Sequence, residues 1–223
     1  MPREQYQDSL DELRSDVLAM GDRVIAQVER SLDAVERRDE SLAQSVVDRD
    51  AAVNETYLRL EDRCVDLFAL QQPVAGDLRF VTASFKIITD LERIGDLAVN
   101  LANYLRTATR TLSPEVRLAD IGEAARVLLE RSLAAYQAED AAACRAVAAD
   151  DDEVDALCQR ASESVTRDLI AGSDGDGWEA ERVLDDVSRV LLTIRDLERV
   201  ADHAVNIAAR TLYMVENDPE LLY

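Results

Sequence analysis

The feature that most constrains this chain is that it contains itself twice. Residues 29–54 (ERSLDAVERRDESLAQSVVDRDAAVN) align without a gap on residues 130–155 (ERSLAAYQAEDAAACRAVAADDDEVD), a shift of 101, and nine of 26 positions are identical. Residues 87–103 (IITDLERIGDLAVNLAN) align on residues 193–209 (TIRDLERVADHAVNIAA), a shift of 106, with ten of 17 identical. The order is the same in both halves, and the second half carries an extra turn, GSDGDG (Gly172–Gly177). A tandem duplication predicts two similar structural units, so a reading of one copy is a test of the other.

Each unit reads as three helices. Leu10, Leu13, Val17, Met20, Val24, Val28 and Leu32 recur at three- and four-residue steps, which is the apolar stripe of a helix over about residues 8–37. Asp39 is an N-cap residue for a second helix running to Leu70. Gln72-Pro73 breaks the chain, and Pro73 suits the first turn of a third helix that runs to Thr107. Ser113-Pro114 repeats that signal, and three further helices follow over residues 115–138, 140–171 and 178–215. Only 7 Gly, 4 Pro and 4% aromatic residues argue against a sandwich or barrel. Short connections make neighbouring helices antiparallel. The expected fold is all-α, a tandem duplication of an antiparallel three-helix bundle, with residues 1–110 as the first unit and 111–223 as the second.

Charge excludes several classes of function. The chain holds 46 acidic and 25 basic residues, a net of -21, and only one of the basic residues, Lys86, is lysine. Phosphate contacts need a basic footprint, so nucleic-acid binding is not expected. Docking on an anionic membrane surface is disfavoured for the same reason. No apolar run reaches the ~18 residues of a membrane span, and the first residues, MPREQYQDSLDEL, lack an apolar signal core. A cytoplasmic protein is expected. The Asp-rich, Lys-poor surface fits a salt-adapted cytoplasm, as in a halophilic archaeon. Cys64, Cys144 and Cys158 lack both metal and disulfide spacing and read as buried free thiols.

The repeated core of each third helix is an acidic pair four residues apart, Glu92 with Asp96 and Glu198 with Asp202. Positions i and i+4 lie on one helix face about 6 Å apart. The second helix of each unit carries a matching pair, Asp50 with Asn54 and Asp151 with Asp155. If the rows face each other, each unit gathers up to four oxygen donors at one locus. Like charges that close resist joint ionisation, and a cation relieves them. Oxygen-only ligands suit Mg²⁺, Ca²⁺, Mn²⁺ or iron. On a helical wheel Glu92 and Asp96 fall opposite the apolar stripe of Ile87, Leu91, Ile94, Ala98, Leu101 and Leu105, which places them on or near the surface; a solvated acidic face is the plain alternative. The single histidine, His203, points about 100° from the acidic row and reads as a packing or surface residue. A Ser-His-Asp or Cys-His centre is not expected, and neither Glu-x-x-His pairs nor a Gly-rich phosphate loop occurs.

These residues resemble a known family. QQPVAGDLR (Gln71–Arg79), DLERIGD (Asp90–Asp96) and DLERVAD (Asp196–Asp202), set in a duplicated three-helix frame, closely resemble the PhoU family, the accessory proteins of the phosphate-specific transport system. DAAVN (Asp50–Asn54) and DDEVD (Asp151–Asp155) fit the paired motifs of that family. The resemblance implies a non-enzymatic negative regulator of phosphate uptake and phosphate-starvation signalling. It implies multinuclear metal clusters of iron or of another cation (Zn, Mn, Mg or Ca), the phosphate ABC transporter ATPase or a regulatory protein as partner, and a homodimer. Carried over by position, it implies a first cluster on Asp50, Asn54, Glu92 and Asp96 with Asp77 nearby, and a second on Asp151, Asp155, Glu198 and Asp202. A metal-storage protein or a carboxylate metalloenzyme on the same bundle, or a regulator of another anion transporter, is the alternative. Two departures stand out: Ala201 replaces the Gly of the second E-R-x-G-D, and the second unit has GDGWEAERVLDD in place of QPxAxDLR.

The charge count generates a first prediction. Raising KCl from about 0.1 M to about 1 M shortens the Debye length from ~10 Å to ~3 Å and screens self-repulsion. The thermal midpoint should rise with KCl, by roughly 2–4 °C for each kcal/mol recovered in a chain of this size. A midpoint that falls with KCl in a melting series would contradict the salt-adapted reading.

Overall fold

The computed structural model describes residues 3–70, 75–107, 116–171 and 177–222. Its elements there are six helices: α1 (Arg3–Arg37), α2 (Glu40–Leu70), α3 (Ala75–Thr107), α4 (Leu118–Ala138), α5 (Ala141–Ala171) and α6 (Gly177–Glu216). The all-α expectation holds. Pro73, Ser113-Pro114 and residues 172–176 of the extra turn lie outside the described residues. Helix α4 starts later than expected, at Leu118, and Arg117 at its cap position makes no side-chain cap bond.

The two tight turns use one device twice. Arg38 and Glu139, equivalent by the shift of 101, both take a left-handed backbone with φ of 52°. The next residue then bonds back into the preceding helix, Asp39 N–H to Ala34 O at 3.1 Å and Asp140 N–H to Ala135 O at 3.0 Å. Asp39 and Asp140 cap the next helix, each Oδ1 accepting the N–H three residues on, of Leu42 or Ala143, at 3.0 Å. A two-residue reversal forces α1 antiparallel to α2 and α4 antiparallel to α5.

Helices α1, α3, α6 and α4 form a central ring of neighbours, each touching the next. Helix α2 lies outside, against α1 and α3 alone, and α5 lies outside against α4 and α6 alone. The inward stripe expected on α1 is realised: Leu10, Leu13, Val17, Met20, Val24 and Val28 are buried. They join Ile87, Leu91, Ile121, Leu129, Leu197 and Leu212 in one continuous core drawn from both units.

The contact between α1 and α4 is reciprocal. Gly21 faces Leu133, where an added Cβ would meet Leu133 Cδ1 at 2.5 Å, and Gly122 faces Leu32, where it would meet Leu32 Cδ2 at 2.3 Å. Gly21 and Gly122 are equivalent by the shift of 101, and so are Leu32 and Leu133. One contact is therefore made twice with roles exchanged, the mark of an approximate two-fold axis between the units. Glycine lets the two backbones approach, and the leucine of the other copy fills the space. Away from the axis Tyr136 of α4 reaches α3: its hydroxyl lies 2.7 Å from Ser84 Oγ and its ring stacks on Phe80 with centroids 6.2 Å apart. The Arg14 guanidinium covers both rings and bonds Glu139.

Gly122→Val should force α1 and α4 apart and cost about 1–3 kcal/mol, the usual range for overpacking. Gly95→Ala should be neutral or stabilising by up to about 1 kcal/mol, since the nearest atom to its added Cβ, Val53 Cγ1, is at an ordinary 3.4 Å. Urea unfolding of both variants checks the pair; equal losses would remove the close approach as the cause.

Candidate metal centre

The acidic rows lie in the two seams where an outer helix meets the ring, α2 on α3 and α5 on α6. Each i,i+4 pair sits on one helix face, and the outer helix brings the second pair opposite. In the first seam Asp50 and Asn54 come from α2, and Glu92 and Asp96 from α3. Glu92 is pushed above the ordinary carboxylate range by burial first and then by Asp96, with Asp50 adding to it and Arg93 opposing. Its side chain is only 20% exposed against 43% for Asp96. The surface face expected from the helical wheel is thus half-buried, because α2 closes over the flank of α3.

The first seam is largely engaged with its own protein. Gln27 of α1, itself buried, donates its Nε2 to Asp50 Oδ1 at 3.2 Å and to Gly95 O at 3.5 Å. Asn54 Nδ2 donates to Asp50 Oδ2 at 2.9 Å. Arg93 pairs with Glu92 at 3.5 Å and with Asp96 at 3.4 Å. Gln27 escaped the sequence reading, although a glutamine inside the Val24–Val28 stripe was a visible signal. At the equivalent position the second unit has Leu128.

The second seam is barer. Asp151, Asp155, Glu198 and Asp202 act on one another, and none makes a hydrogen bond or ion pair among the described residues. Asp151 is pushed up to about 6 by burial first, then by Asp155, Asp202, Asp152 and Glu198. Glu198 and Asp202 are both raised, by burial first and then by Asp155. Asp151 Oδ1 is buried with no partner. A buried, unpaired carboxylate oxygen among three further carboxylates is costly unless a proton or a cation meets it.

Asp77 is a correction. It lies in the first turn of α3, 15 residues before Glu92, or about 22 Å along the helix. Its electrostatic neighbour is Tyr6 of α1, whose hydroxyl it helps to raise after burial. Proximity within a sequence motif did not carry over into space. Among the described residues no group of three or more His, Cys, Asp or Glu side chains is arranged to hold a metal ion as it stands. The seams gather carboxylates to within electrostatic range of one another. The all-oxygen donor set and the orphaned Asp151 oxygen fit a hard cation in the second seam, whereas in the first the Gln27 and Asn54 bonds to Asp50 would have to be exchanged.

His203 is half-buried and paired across the two units. Its Nδ1 lies 2.9 Å from Asp90 Oδ1, joining α6 to α3 across the unit boundary. Asp196, the equivalent of Asp90, accepts the Tyr104 hydroxyl of the other unit at 3.2 Å. The first Asp of each DLER motif therefore serves the interface between units, and the Glu and final Asp serve the seam. The three cysteines are buried and free, as expected. Burial pushes the Cys64 and Cys158 thiols up to about 12 and Cys144 to about 11, away from thiolate chemistry.

Two triplets of helices about an approximate two-fold axis, each with a carboxylate-lined seam, define a duplicated three-helix-bundle protein. The PhoU domain matches residues 17–105 and again residues 118–211. The chain belongs to the PhoU family. It is 34% identical over 215 residues to a phosphate-specific transport system accessory protein PhoU homolog of Pseudomonas putida, covering 95% of this chain and 81% of that one. A PhoU homolog 1 of Methanothermobacter thermautotrophicus is 30% identical over 217 residues, covering 96% and 95%. The crystal structure of PhoU from Pseudomonas aeruginosa superposes with a TM-score of 0.85 at 30% identity, covering 96% of this chain and 100% of that one. That of the phosphate transport system regulatory protein PhoU from Streptococcus pneumoniae does so with a TM-score of 0.86 at 25% identity, covering 96% and 98%.

The raised carboxyls of the second seam generate a pH prediction. A carboxylate with a folded pKa above its unfolded one binds extra protons when native, so its contribution to stability falls as pH rises from about 4 to about 6. Asp151→Asn removes that loss. The variant should be more stable than the parent at pH 7 by about 1 kcal/mol, after allowance for solvent screening, and equal to it near pH 4. Denaturant titrations at the two pH values check this, and a variant less stable at pH 7 would reverse the sign assigned here.

Proposed function

We propose that this chain is an accessory regulator of phosphate transport that restrains uptake and phosphate-starvation signalling by docking on the phosphate ABC transporter ATPase or on a regulatory protein. The observation that carries this reading is the near full-length match, in both units, to relatives named phosphate-specific transport system accessory proteins. The role is one of binding and not of catalysis. The buried thiols and the single, acid-paired histidine supply no activated nucleophile, in keeping with that role. No helix among the described residues is long and apolar enough to cross a membrane, which suits a protein that meets its transporter at the cytoplasmic face. A homodimer belongs to the same reading.

The proposal includes cation binding in the seams. Asp151, Asp155, Glu198 and Asp202 would hold one centre, and Asp50, Asn54, Glu92 and Asp96 the other. A bound cation supplies charge neutralisation there. The residues do the rest: α5 and α6, or α2 and α3, present their oxygens across the seam, and the pose of the outer helix on the ring follows from how closely those oxygens approach. The surface shown to a partner is thereby tied to the charge state of the seam.

Two measurements test this. Cells lacking the chain should take up labelled phosphate faster in phosphate-rich medium, and the intact gene should restore restraint; unchanged uptake would overturn the regulatory role. Elemental analysis of protein purified in molar salt without an affinity tag should find bound metal, of which the Glu198→Ala, Asp202→Ala variant loses the share held by the second seam. Equal metal in both proteins would take the second seam out of the proposal and leave partner docking standing.

A further inference from the structure

The approximate two-fold axis gives every seam residue a twin, and the twins differ around one carboxylate. In the first seam Asp50 is met on both oxygens. Gln27 Nε2 donates to its Oδ1 at 3.2 Å, and Asn54 Nδ2 to its Oδ2 at 2.9 Å. Gln27 is 3% exposed and also donates to Gly95 O at 3.5 Å, so one amide of α1 holds α2 and α3 at once. By the shift of 101, Gln27, Asp50 and Asn54 correspond to Leu128, Asp151 and Asp155. Leu128 is as buried as Gln27, and its side chain has no donor. Asp151 Oδ1 is buried with no partner. The carboxylate left with an orphaned oxygen in the second seam is the twin of the one that Gln27 serves in the first.

The arginines divide in the same way. Arg93 pairs with Glu92 at 3.5 Å and with Asp96 at 3.4 Å, inside the first seam. Its twin Arg199 pairs instead with Asp196 at 3.4 Å, at the interface between units. Every carboxylate of the first seam therefore has a donor from the protein, and among the described residues those of the second have none. A donor already on a carboxylate must be given up before that oxygen turns to a cation, and hydrogen bonds to charged groups are the stronger kind.

We propose that Gln27 makes the two seams unequal: its amide competes with a hard divalent cation for Asp50, so the second seam, with Leu128 in its place, binds the cation more tightly and the first fills only at higher concentration. This step rests on the cation reading of the seams and adds to it an order of filling and the residue that sets it. Gln27 is a positioning residue, acting through Asp50. Asn54 works in the same direction, since it puts a neutral amide where the second seam has the charge of Asp155. The inequality has a mechanical side. Gln27 clasps α2 to α1 through Asp50, so an Asp50 that turns to a cation also frees the outer helix from the ring at that point. Leu128 forms no such clasp on α5, and filling the second seam releases nothing.

The test adds Mn²⁺ to the full ¹⁵N-labelled chain in about 1 M KCl, where surface charge is screened, and follows paramagnetic broadening of the amides seam by seam. Amides around Asp151 and Glu198 should broaden first. Those around Asp50 and Glu92 should follow at about tenfold higher free Mn²⁺, the factor expected for displacing one hydrogen bond to a charged group. Gln27→Leu gives the first unit the residue of the second. It should lower the Mn²⁺ needed by the first seam about tenfold and leave the second seam unchanged, with the parent circular dichroism. A gain in binding at one seam alone is an effect that loss of a merely structural contact would not produce. Broadening of both seams in step, or of the first before the second, would overturn the order, and the parent chain alone decides this. Unchanged or weaker binding at the first seam of a folded Gln27→Leu variant would overturn the assignment to Gln27. Mn²⁺ at neither seam would overturn the cation reading itself, a result distinct from filling in the wrong order.

Discussion

Neither triplet of helices covers its own apolar surface, and everything else in the molecule follows from that. Helices α1 and α3 of one unit and α4 and α6 of the other each turn a face toward the opposite unit, and burial there completes a single core. Hydrophobic area removed from water is the dominant favourable contribution to folding, so the ring α1–α3–α6–α4 is where most of the stability of this chain must reside. The close approach at Gly21 and Gly122 sets the spacing of the ring. The outer helices α2 and α5 then pack on whatever flank remains, and the flanks left to them are the acidic ones.

That arrangement explains why charge sits where it does. In the seams a carboxylate row on an inner helix meets one on an outer helix. A row on the solvent side would be screened and unremarkable. Where an outer helix closes on an inner one, Glu92 of α3 and Asp151 of α5 lose water and face their neighbours across the seam. The two seams resolve the strain differently. In the first, Gln27, Asn54 and Arg93 supply donors from within the protein. In the second, Leu128 and Asp155 stand where Gln27 and Asn54 would be, and the charge is left for a proton or a cation.

Much of the fold was legible from local pattern. The duplication, the α1 stripe, the Asp39 cap and the i,i+4 acid rows are all short-range regularities, and short-range regularities are what a helical sequence displays. What depended on the approach of one unit to the other was not legible. His203 reads as a stray polar residue until Asp90 comes across from α3. Arg14 is an ordinary surface arginine until the Phe80 and Tyr136 rings slide beneath it. Asp77 failed in the opposite way, drawn into the site by its place in a motif although a rigid helix carries it some four turns away. The half-buried state of Glu92 was missed because a wheel drawn for one helix takes no account of the helix that lies over it.

The exchange of Gly21 with Leu133 and of Gly122 with Leu32 is the contact that two identical single-unit chains would make as a closed pair. In such a pair every substitution arrives at the interface twice, so a large residue at the crossing collides with its partner from both sides at once. Joining the copies into one chain lifts that rule. Each position of the seam can then change alone while its twin stays as it is. Leu97 beside His203 and Gln27 beside Leu128 are the traces of that freedom, and they make one half of the molecule a built-in record against which the other half can be read.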